Sequence, residues 1–423
     1  MTSGSHHKKP WSRWRPGLLI QNAIALMISS GGTAVIGVVF WAVAAHLSTK
    51  TAVGRTTAEV AAMLLLATLA QLSFGSIFER YLPIAGEFTY DFVKRAYLIC
   101  VAFGFVLAVA YLLLGFSRNF LPPSLGWKVL FVVAVVLWTI FALQDSVLIG
   151  LRASRWVAVE NIAFSVAKLA FLPAALAFNA GEGIFVAWTA PVVLAIIAVT
   201  WYLFRHLIHQ HASTSTATGE LPSTRTLIVL ASAQYASLLS SVFLPSIVTL
   251  IVIERLGPIA NAYYYLPSLI ASSLGLLSWG VVRSFLVEAT TEPGSLRQHA
   301  KSTLRGLVLV LIPSVILGCI FAPLYLRIFG SSYAAHGTTL IRMLLISLLG
   351  STVMVYYSGF AWLDQRVWWM TTRNIACSVV YLIAIYVFIG HIGINAIGVA
   401  ALIYAGMTAV LFLPTSIRRY RQT

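Results

Sequence analysis

Ionisable side chains inside apolar stretches carry the most informative chemistry in this sequence. Lys168 lies near the middle of an apolar run at 157–178, and Glu160 lies two helical turns before it on a similar face. The run is long enough to span a bilayer, where a charged group costs about 2.5–3.5 kcal/mol on insertion scales. Lys168 is therefore predicted to face the cavity between two helical lobes, where it would favour an anion. The alternatives are a buried ion pair and a side chain that snorkels to the membrane surface.

Acidic residues near the same run suggest a second kind of chemistry. Asp145 and Glu160 lie on either side of a short turn that carries Arg152 and Arg155, and Glu79 ends another apolar run. Structural pairing with the arginines is the first interpretation of Asp145 and Glu160. A role in coupling transport to protons is the alternative.

Two basic residues, Arg80 and Arg283, end the second and eighth apolar runs in matching places. Guanidinium groups there could receive an anionic phosphate. Plain anchoring at the basic membrane face explains them equally well.

Uncharged polar residues inside apolar runs are weaker candidates for a substrate cavity. They could line a hydrophilic groove for a hydroxyl-rich cargo, although hydrogen bonds between helices explain them nearly as well. These candidates are Gln21, Asn22, Gln71 and Gln234.

Signatures of catalysis and of metal binding are missing from the sequence. There is no GxxxxGK[ST], GxSxG or HExxH motif, and the triplet His206, His209 and His211 is interpreted as part of a solvated loop. A membrane glycosyltransferase would need acidic residues in its outer loops, and the loop at 46–57 has none. No enzymatic activity, cofactor or metal is therefore expected.

The composition excludes a soluble globular domain. Of the 423 residues, 59% are hydrophobic and 9% are charged, against about 25% charged residues in a typical soluble domain. The net charge is +16, but the basic residues lie mostly between the apolar runs, as in the loops of a membrane protein, so nucleic acid is not an expected partner. The chain is predicted to be an all-α polytopic membrane protein with twelve spans, at about 20–45, 58–78, 97–117, 127–150, 157–178, 183–204, 226–252, 260–286, 304–328, 337–362, 371–390 and 393–415.

The distribution of charge predicts the topology and the domains. If the spans alternate in direction, most of the 28 Lys and Arg residues fall on one side of the membrane. Basic residues are in excess on the cytoplasmic side, so both termini are predicted to be cytoplasmic and the protein to lie in the cytoplasmic membrane. A Ser- and Thr-rich linker at 213–225 would join six-helix lobes at 1–212 and 226–423. The lobes resemble each other weakly, with residues 52–54 matching 261–263, as in a parallel repeat.

Three segments carry a family resemblance. They are Ile-Phe-Gly-Ser-Ser-Tyr-Ala-Ala at 328–335, leading into 340–344; the Gly-rich joint at 389–400; and the turn at 150–155, followed by Glu160-Asn161. In order and spacing they resemble the polysaccharide-transporter branch, the O-antigen flippases, of the multidrug/oligosaccharidyl-lipid/polysaccharide exporter (MOP) superfamily. The resemblance covers nearly the whole chain.

The resemblance implies two MATE-like lobes that rock around a central cavity. The implied cargo is a polyprenyl-diphosphate-linked oligosaccharide or a related glycolipid, with membrane lipids as surroundings and glycosyltransferases or a polymerase of the same pathway as conceivable partners. One departure matters: the first span lacks the acidic residue of cation-coupled drug exporters. A drug or small-molecule exporter of the same fold and a non-transporting scaffold of envelope biosynthesis remain alternatives.

Overall fold

The chain is an all-α polytopic membrane protein. The computed structural model describes residues 16–179, 181–208, 235, 243–291, 296–364 and 367–422; the side chains of 16–30, 283–284, 287–291, 367 and 421–422 are outside the description. Ten helices in this part are long and apolar enough to cross a membrane. The helices are α1 (Pro16–Leu47), α2 (Lys50–Ala70), α3 (Phe74–Tyr81), α4 (Thr89–Leu113), α5 (Leu125–Gly150), α6 (Ser154–Phe178), α7 (Gly183–Tyr202), α8 (243–256), α9 (Pro258–Thr291), α10 (Leu296–Arg327), α11 (Ser331–Leu363), α12 (Val367–Ile392) and α13 (Asn395–Gln422).

Short irregular segments complete the first part of the chain. Two 3-10 turns, Leu82–Ile84 and Gly86–Phe88, connect α3 to α4, and a π-helical turn, Leu203–Leu207, continues α7. Every predicted span except the seventh lies mostly on described helix, and only residues 235 and 243–252 of the seventh lie within the description. Helices α1–α7 are called the first half below, and α8–α13 the second half.

The helices alternate in direction, so the bundle has two ends. The distal end carries the α1–α2, α6–α7 and α8–α9 turns, and the proximal end carries the α5–α6 turn. Gly330 and Gly393 form two further distal turns with φ of +126° and +59°. A left-handed backbone strains residues with a side chain, so these glycines let α10–α11 and α12–α13 turn sharply. This explains the two glycine-containing motifs noted in the sequence.

Helix α2 is the central element of the structure. It is buried along most of its length, and it packs against α4, α5 and α7 in the first half and against α9 in the second. Its Ala-rich sequence permits this, because small side chains let several helices approach one axis. Thr49 caps its start, since its Oγ1 accepts a hydrogen bond of 3.2 Å from the Ala52 N–H.

The second predicted span is not one continuous helix. It breaks between α2 and α3, where Leu72 and Ser73 adopt positive φ values of +47° and +64°. No glycine or proline marks the break in the sequence. The close packing of α3 on α5 accompanies it: a Cβ on Gly75 would lie 2.8 Å from Oγ of Ser146, so a larger residue there would displace that hydroxyl.

The break predicts an unusual response to glycine. Ser73 is buried, its hydroxyl has no hydrogen-bond partner, and it caps nothing. Ser73→Gly should therefore raise the free energy of unfolding by about 1 kcal/mol, by relieving the left-handed strain and removing an unpaired hydroxyl. Ser76→Gly, inside α3, should lower it by a similar amount. Thermal unfolding of both variants in detergent measures this, and a loss of stability in Ser73→Gly would contradict it.

Candidate functional site

The Lys168 side chain lies in a cage of aromatic rings. Its Nζ is 3.7 Å from the ring centroid of Trp188, 5.1 Å from that of Phe164 and 5.4 Å from that of Phe40. All three distances are within the range of cation–π attraction. The side chain is only 4% exposed, and among the described residues it forms no ion pair with a carboxylate. We call Lys168 with these three rings the aromatic cage.

Three helices build the aromatic cage. Phe164 and Lys168 are four residues apart on α6 and share its buried face, α1 contributes Phe40, and α7 contributes Trp188. The rings also hold one another, because Phe40 packs edge-on against Trp188 at 5.3 Å between centroids. The cage is therefore closed on three sides, by α6, α7 and α1.

In this conformation the ammonium of Lys168 lies in the interior of the first half. A cavity of about 460 Å³ between the halves is lined by Val38 of α1 and by residues of α9 and α10, including Ser273 and Ser314. Val38 and Phe40 are neighbours on α1, so this helix separates the cavity from the aromatic cage. The assignment of Lys168 to the substrate path stays a prediction that requires α1 to move.

A second polar group lies toward the proximal end, between α5 and α6. The amide of Asn161 donates to both oxygens of Asp145, at 3.1 and 3.0 Å, and to the carbonyl of Val157. Glu160 is 5% exposed, and neither of its oxygens has a hydrogen-bond partner. The described partner of Asp145 is thus Asn161, whereas the predicted partners Arg152 and Arg155 are exposed residues at the turn.

The remaining predicted residues are scattered. Gln71 directly follows α2, and its side-chain amide donates a hydrogen bond of 3.4 Å to the carbonyl of Ala67. Glu79 and Arg80 are exposed at the proximal end of α3. The ring of Tyr81 lies 5.5 Å from the Arg80 guanidinium. Four further candidates have side chains outside the described part: Gln21, Asn22, Gln234 and Arg283. Groups of three or more potential metal ligands are absent from the residues that the structure describes.

The two halves touch directly at the distal end, which the sequence did not reveal. The Asn261 amide donates to the Gly54 carbonyl at 2.8 Å and to Thr57 Oγ1 at 3.0 Å. A Cβ on Gly54 would lie 1.7 Å from the Pro258 carbonyl oxygen, so α2 and α9 meet backbone to backbone. The sequence contains the clue as the weak match of 52–54 to 261–263: the matching positions face each other. We call this group of residues the distal contact.

Additional interactions extend the distal contact. The Lys50 ammonium donates to Ser332 Oγ at 2.9 Å, and Trp41 packs edge-on against Tyr265 at 5.2 Å between centroids. Phe329 and Tyr333 of the second half are buried in the same core as α1, α2 and α7. The structure is therefore closed at its distal end. Away from that end, Tyr235, which precedes α8, donates a hydrogen bond of 3.1 Å to the Leu69 carbonyl, near the other end of α2.

Comparisons with known proteins concern the fold. No family model matches the chain, and no curated protein matches it in sequence. The solved structure of a ligand complex of the MATE multidrug transporter DinF-BH is similar, with a TM-score of 0.67 at 14% identity over 99% of this chain and 98% of that one. An outward-facing multidrug resistance MATE family transporter of the MOP superfamily gives a TM-score of 0.66 at 13% identity, over 96% of each chain.

The chain has the fold of the MATE transporters. The similarity confirms the predicted MATE-like fold, while the superfamily and its flippase branch stay predictions. A third similar structure is a MOP superfamily transporter from Pyrococcus furiosus for which a binding pocket of reverse polarity is described; it has a TM-score of 0.58 at 13% identity over 95% of each chain.

The distal contact yields a prediction about Gly54. Gly54→Ala places a methyl group inside the Pro258 carbonyl and should force α2 and α9 apart, at a cost of about 1–3 kcal/mol for overpacking. Its thermal unfolding temperature should fall, and a distance between spin labels on the distal ends of α1 and α9 should lengthen. Gly280→Ala on α9, where a Cβ meets nothing within 4 Å, is the control: it should leave the distance unchanged and the unfolding temperature the same or higher, because alanine favours a helix more than glycine does. Equal behaviour of the two variants would contradict the prediction.

Proposed function

We propose that this protein translocates a polyprenyl-diphosphate-linked oligosaccharide, or a related glycolipid, across the cytoplasmic membrane for assembly of a cell-envelope polysaccharide. The mechanism is alternating access, in which the two halves rock about the cargo. The observation that carries the proposal is the buried Lys168 ammonium, which has aromatic neighbours but no described carboxylate partner. The MATE fold of the chain supports the transport mechanism.

The energetics of Lys168 favour an anionic cargo. A lysine at the centre of a membrane helix costs about 2.5–3.5 kcal/mol on insertion scales, and a cation–π contact returns about 0.5–2 kcal/mol. A phosphate that reached the ammonium would add a charge-assisted hydrogen bond in a medium of low dielectric. The aromatic cage therefore holds a positive charge ready for a diphosphate, while its rings offer flat apolar surfaces to the sugars.

Helix α1 is the moving element in this mechanism. It carries Phe40 on the aromatic cage and Val38 on the cavity between the halves, so a shift of α1 would join the two spaces. With the distal end closed, the head group would enter from the proximal end, which the charge distribution predicts to be cytoplasmic. The polyprenyl tail would stay in the bilayer at the side of the bundle.

The charge of the proposed binding site is opposite to the charge that export of a cationic drug would need. The fold accommodates more than one kind of pocket, since the similar transporter from Pyrococcus furiosus is described with reverse polarity of its binding pocket. A positive charge in the aromatic cage would select against cationic drugs there by repulsion. Arg80, and Arg283 by its matching place, would add phosphate contacts at the proximal mouth.

The decisive experiment replaces Lys168 with methionine. Lys168→Met keeps an unbranched side chain only one heavy atom shorter, which can still contact the rings, but it removes the charge. Flipping of a fluorescent lipid-linked oligosaccharide in proteoliposomes should fall at least about tenfold, as expected when a charge-assisted hydrogen bond of about 1.5–3 kcal/mol is lost. The thermal unfolding temperature should stay the same or rise, because an unpaired buried charge is removed.

The exposed Lys128 of α5 provides the matched control for this experiment. Lys128→Met makes the same chemical change outside the bundle and should leave flipping unchanged. Normal flipping by Lys168→Met would exclude Lys168 from the site. Absence of flipping by the unaltered protein, with retained binding to glycosyltransferases or a polymerase of the pathway, would favour the scaffold alternative.

A second candidate function is export of an organic cation. The observation that favours it is Glu160, a buried carboxyl group without a described hydrogen-bond partner. Under this alternative, energised vesicles should accumulate a cationic dye, and Glu160→Gln should abolish the accumulation while Lys168→Met increases it. Under the proposed function neither variant changes dye uptake. Mass spectrometry of the lipid intermediates that accumulate when the protein is depleted would identify the glycan.

A further inference from the structure

A buried pair of carboxyl groups lies at the distal end of the first half, apart from the aromatic cage. Glu59 on α2 has an exposed fraction of 0%, and Glu182, in the turn between α6 and α7, is 7% exposed. The two groups act on each other electrostatically and lie close enough to share a hydrogen bond. Nothing in the proposed cargo cycle uses either residue.

The pair has no hydrogen-bond donor when both carboxyl groups are ionised. Both oxygens of Glu59 and Oε2 of Glu182 are buried without a hydrogen-bond partner. Ionised carboxylates only accept hydrogen bonds, so two of them in contact cannot satisfy each other. A single proton turns one carboxylate into a donor and removes the repulsion of two buried negative charges. A shared proton is therefore the ligand that fits this site.

The surroundings do not neutralise the pair by other means. The charged groups that act on Glu59 are Glu182 from the α6–α7 turn and Arg55 from α2 itself. Arg55 is exposed, so solvent weakens its attraction for the buried carboxyl groups. Burial raises the pKa of Glu182, which lies outside the membrane-spanning helices.

Both carboxyl groups are attached to the distal contact. Glu59 follows Gly54 and Thr57, the residues of α2 that accept hydrogen bonds from Asn261. Glu182 begins α7, whose Trp188 packs on Trp41, the residue that touches Tyr265 of the second half. Any separation of the two carboxyl groups would move α2 and α7 relative to each other beneath this contact.

We propose that Glu59 and Glu182 form a proton-binding site whose shared proton keeps the distal end of the transporter closed. Loss of the proton leaves two negative charges in the protein interior, and the repulsion drives the α6–α7 turn away from α2. Water then reaches the carboxylates, and α2 loses its alignment with α9. The closed distal end is accordingly favoured at low pH and the open one at high pH. The proposal rests on the distal contact and does not depend on the cargo.

The test measures the opening of the distal end directly. Spin labels are attached at Leu47 of α1 and Ile259 of α9, both exposed at the distal end, in a protein whose Cys100, Cys319 and Cys377 are replaced by alanine. Distances are measured by double electron–electron resonance in lipid nanodiscs from about pH 5 to about pH 9, a range that brackets ordinary and raised carboxyl pKa values. The unaltered pair should show a long-distance population that grows at high pH, with up to about a tenfold change in the open-to-closed ratio for each unit by which the pKa differs between the two states.

Three variants interpret the result. Glu59→Gln and Glu182→Gln mimic the protonated groups and should stay closed over the whole pH range; either suffices if the other fails to fold. Glu254→Gln is the control, because Glu254 is an exposed carboxylate at the same end of the bundle and its loss should preserve the pH response. A pH-independent distance in the unaltered pair, or a full pH response in both Gln variants, would overturn the proposal. Failure of glycolipid flipping would leave these distances unaffected and would bear only on the cargo.

Discussion

The backbone approach of α2 to α9 at Gly54 is the constraint on which the arrangement of the two halves depends. Without a side chain at Gly54, the Pro258 carbonyl and the Asn261 amide reach the α2 backbone, and the core of the first half continues into Phe329 and Tyr333. Helices meet this closely only where small residues permit it. Gly54 thus permits the close approach of α2 and α9 that helps to close the distal end.

Electrostatics divide the molecule unevenly. Among the described residues, the buried charged side chains are Glu59, Glu160, Lys168 and Glu182, and all belong to the first half. The buried polar residues of the second half are neutral, and its ion pair between Arg419 and Asp364 is only partly buried. Because unpaired buried charge is costly, the first half is the part whose environment the proposed transport cycle would change.

Much of the fold could be predicted from the sequence, and the reasons are physical. Long apolar runs must form helices in lipid, so the predicted spans agree with nearly all of the long apolar helices that the structure describes. The break at Leu72 and Ser73 could not be predicted, since it depends on the packing of α3 against α5 and neither residue favours a left-handed backbone.

The candidate site was predictable in part for a similar reason. Lys168 stands out because its charge interrupts an apolar run, whereas the rings of Phe40 and Trp188 come from distant parts of the chain and only folding brings them to it. Glu59 does not stand out in the sequence, because it lies at the edge of a predicted span, where a carboxylate is ordinarily solvated. Helix α2 instead begins at Lys50, which moves Glu59 into the bundle interior and against Glu182. The helix begins eight residues earlier than the predicted span, and this difference decides whether Glu59 is a surface carboxylate or part of the proposed buried proton site.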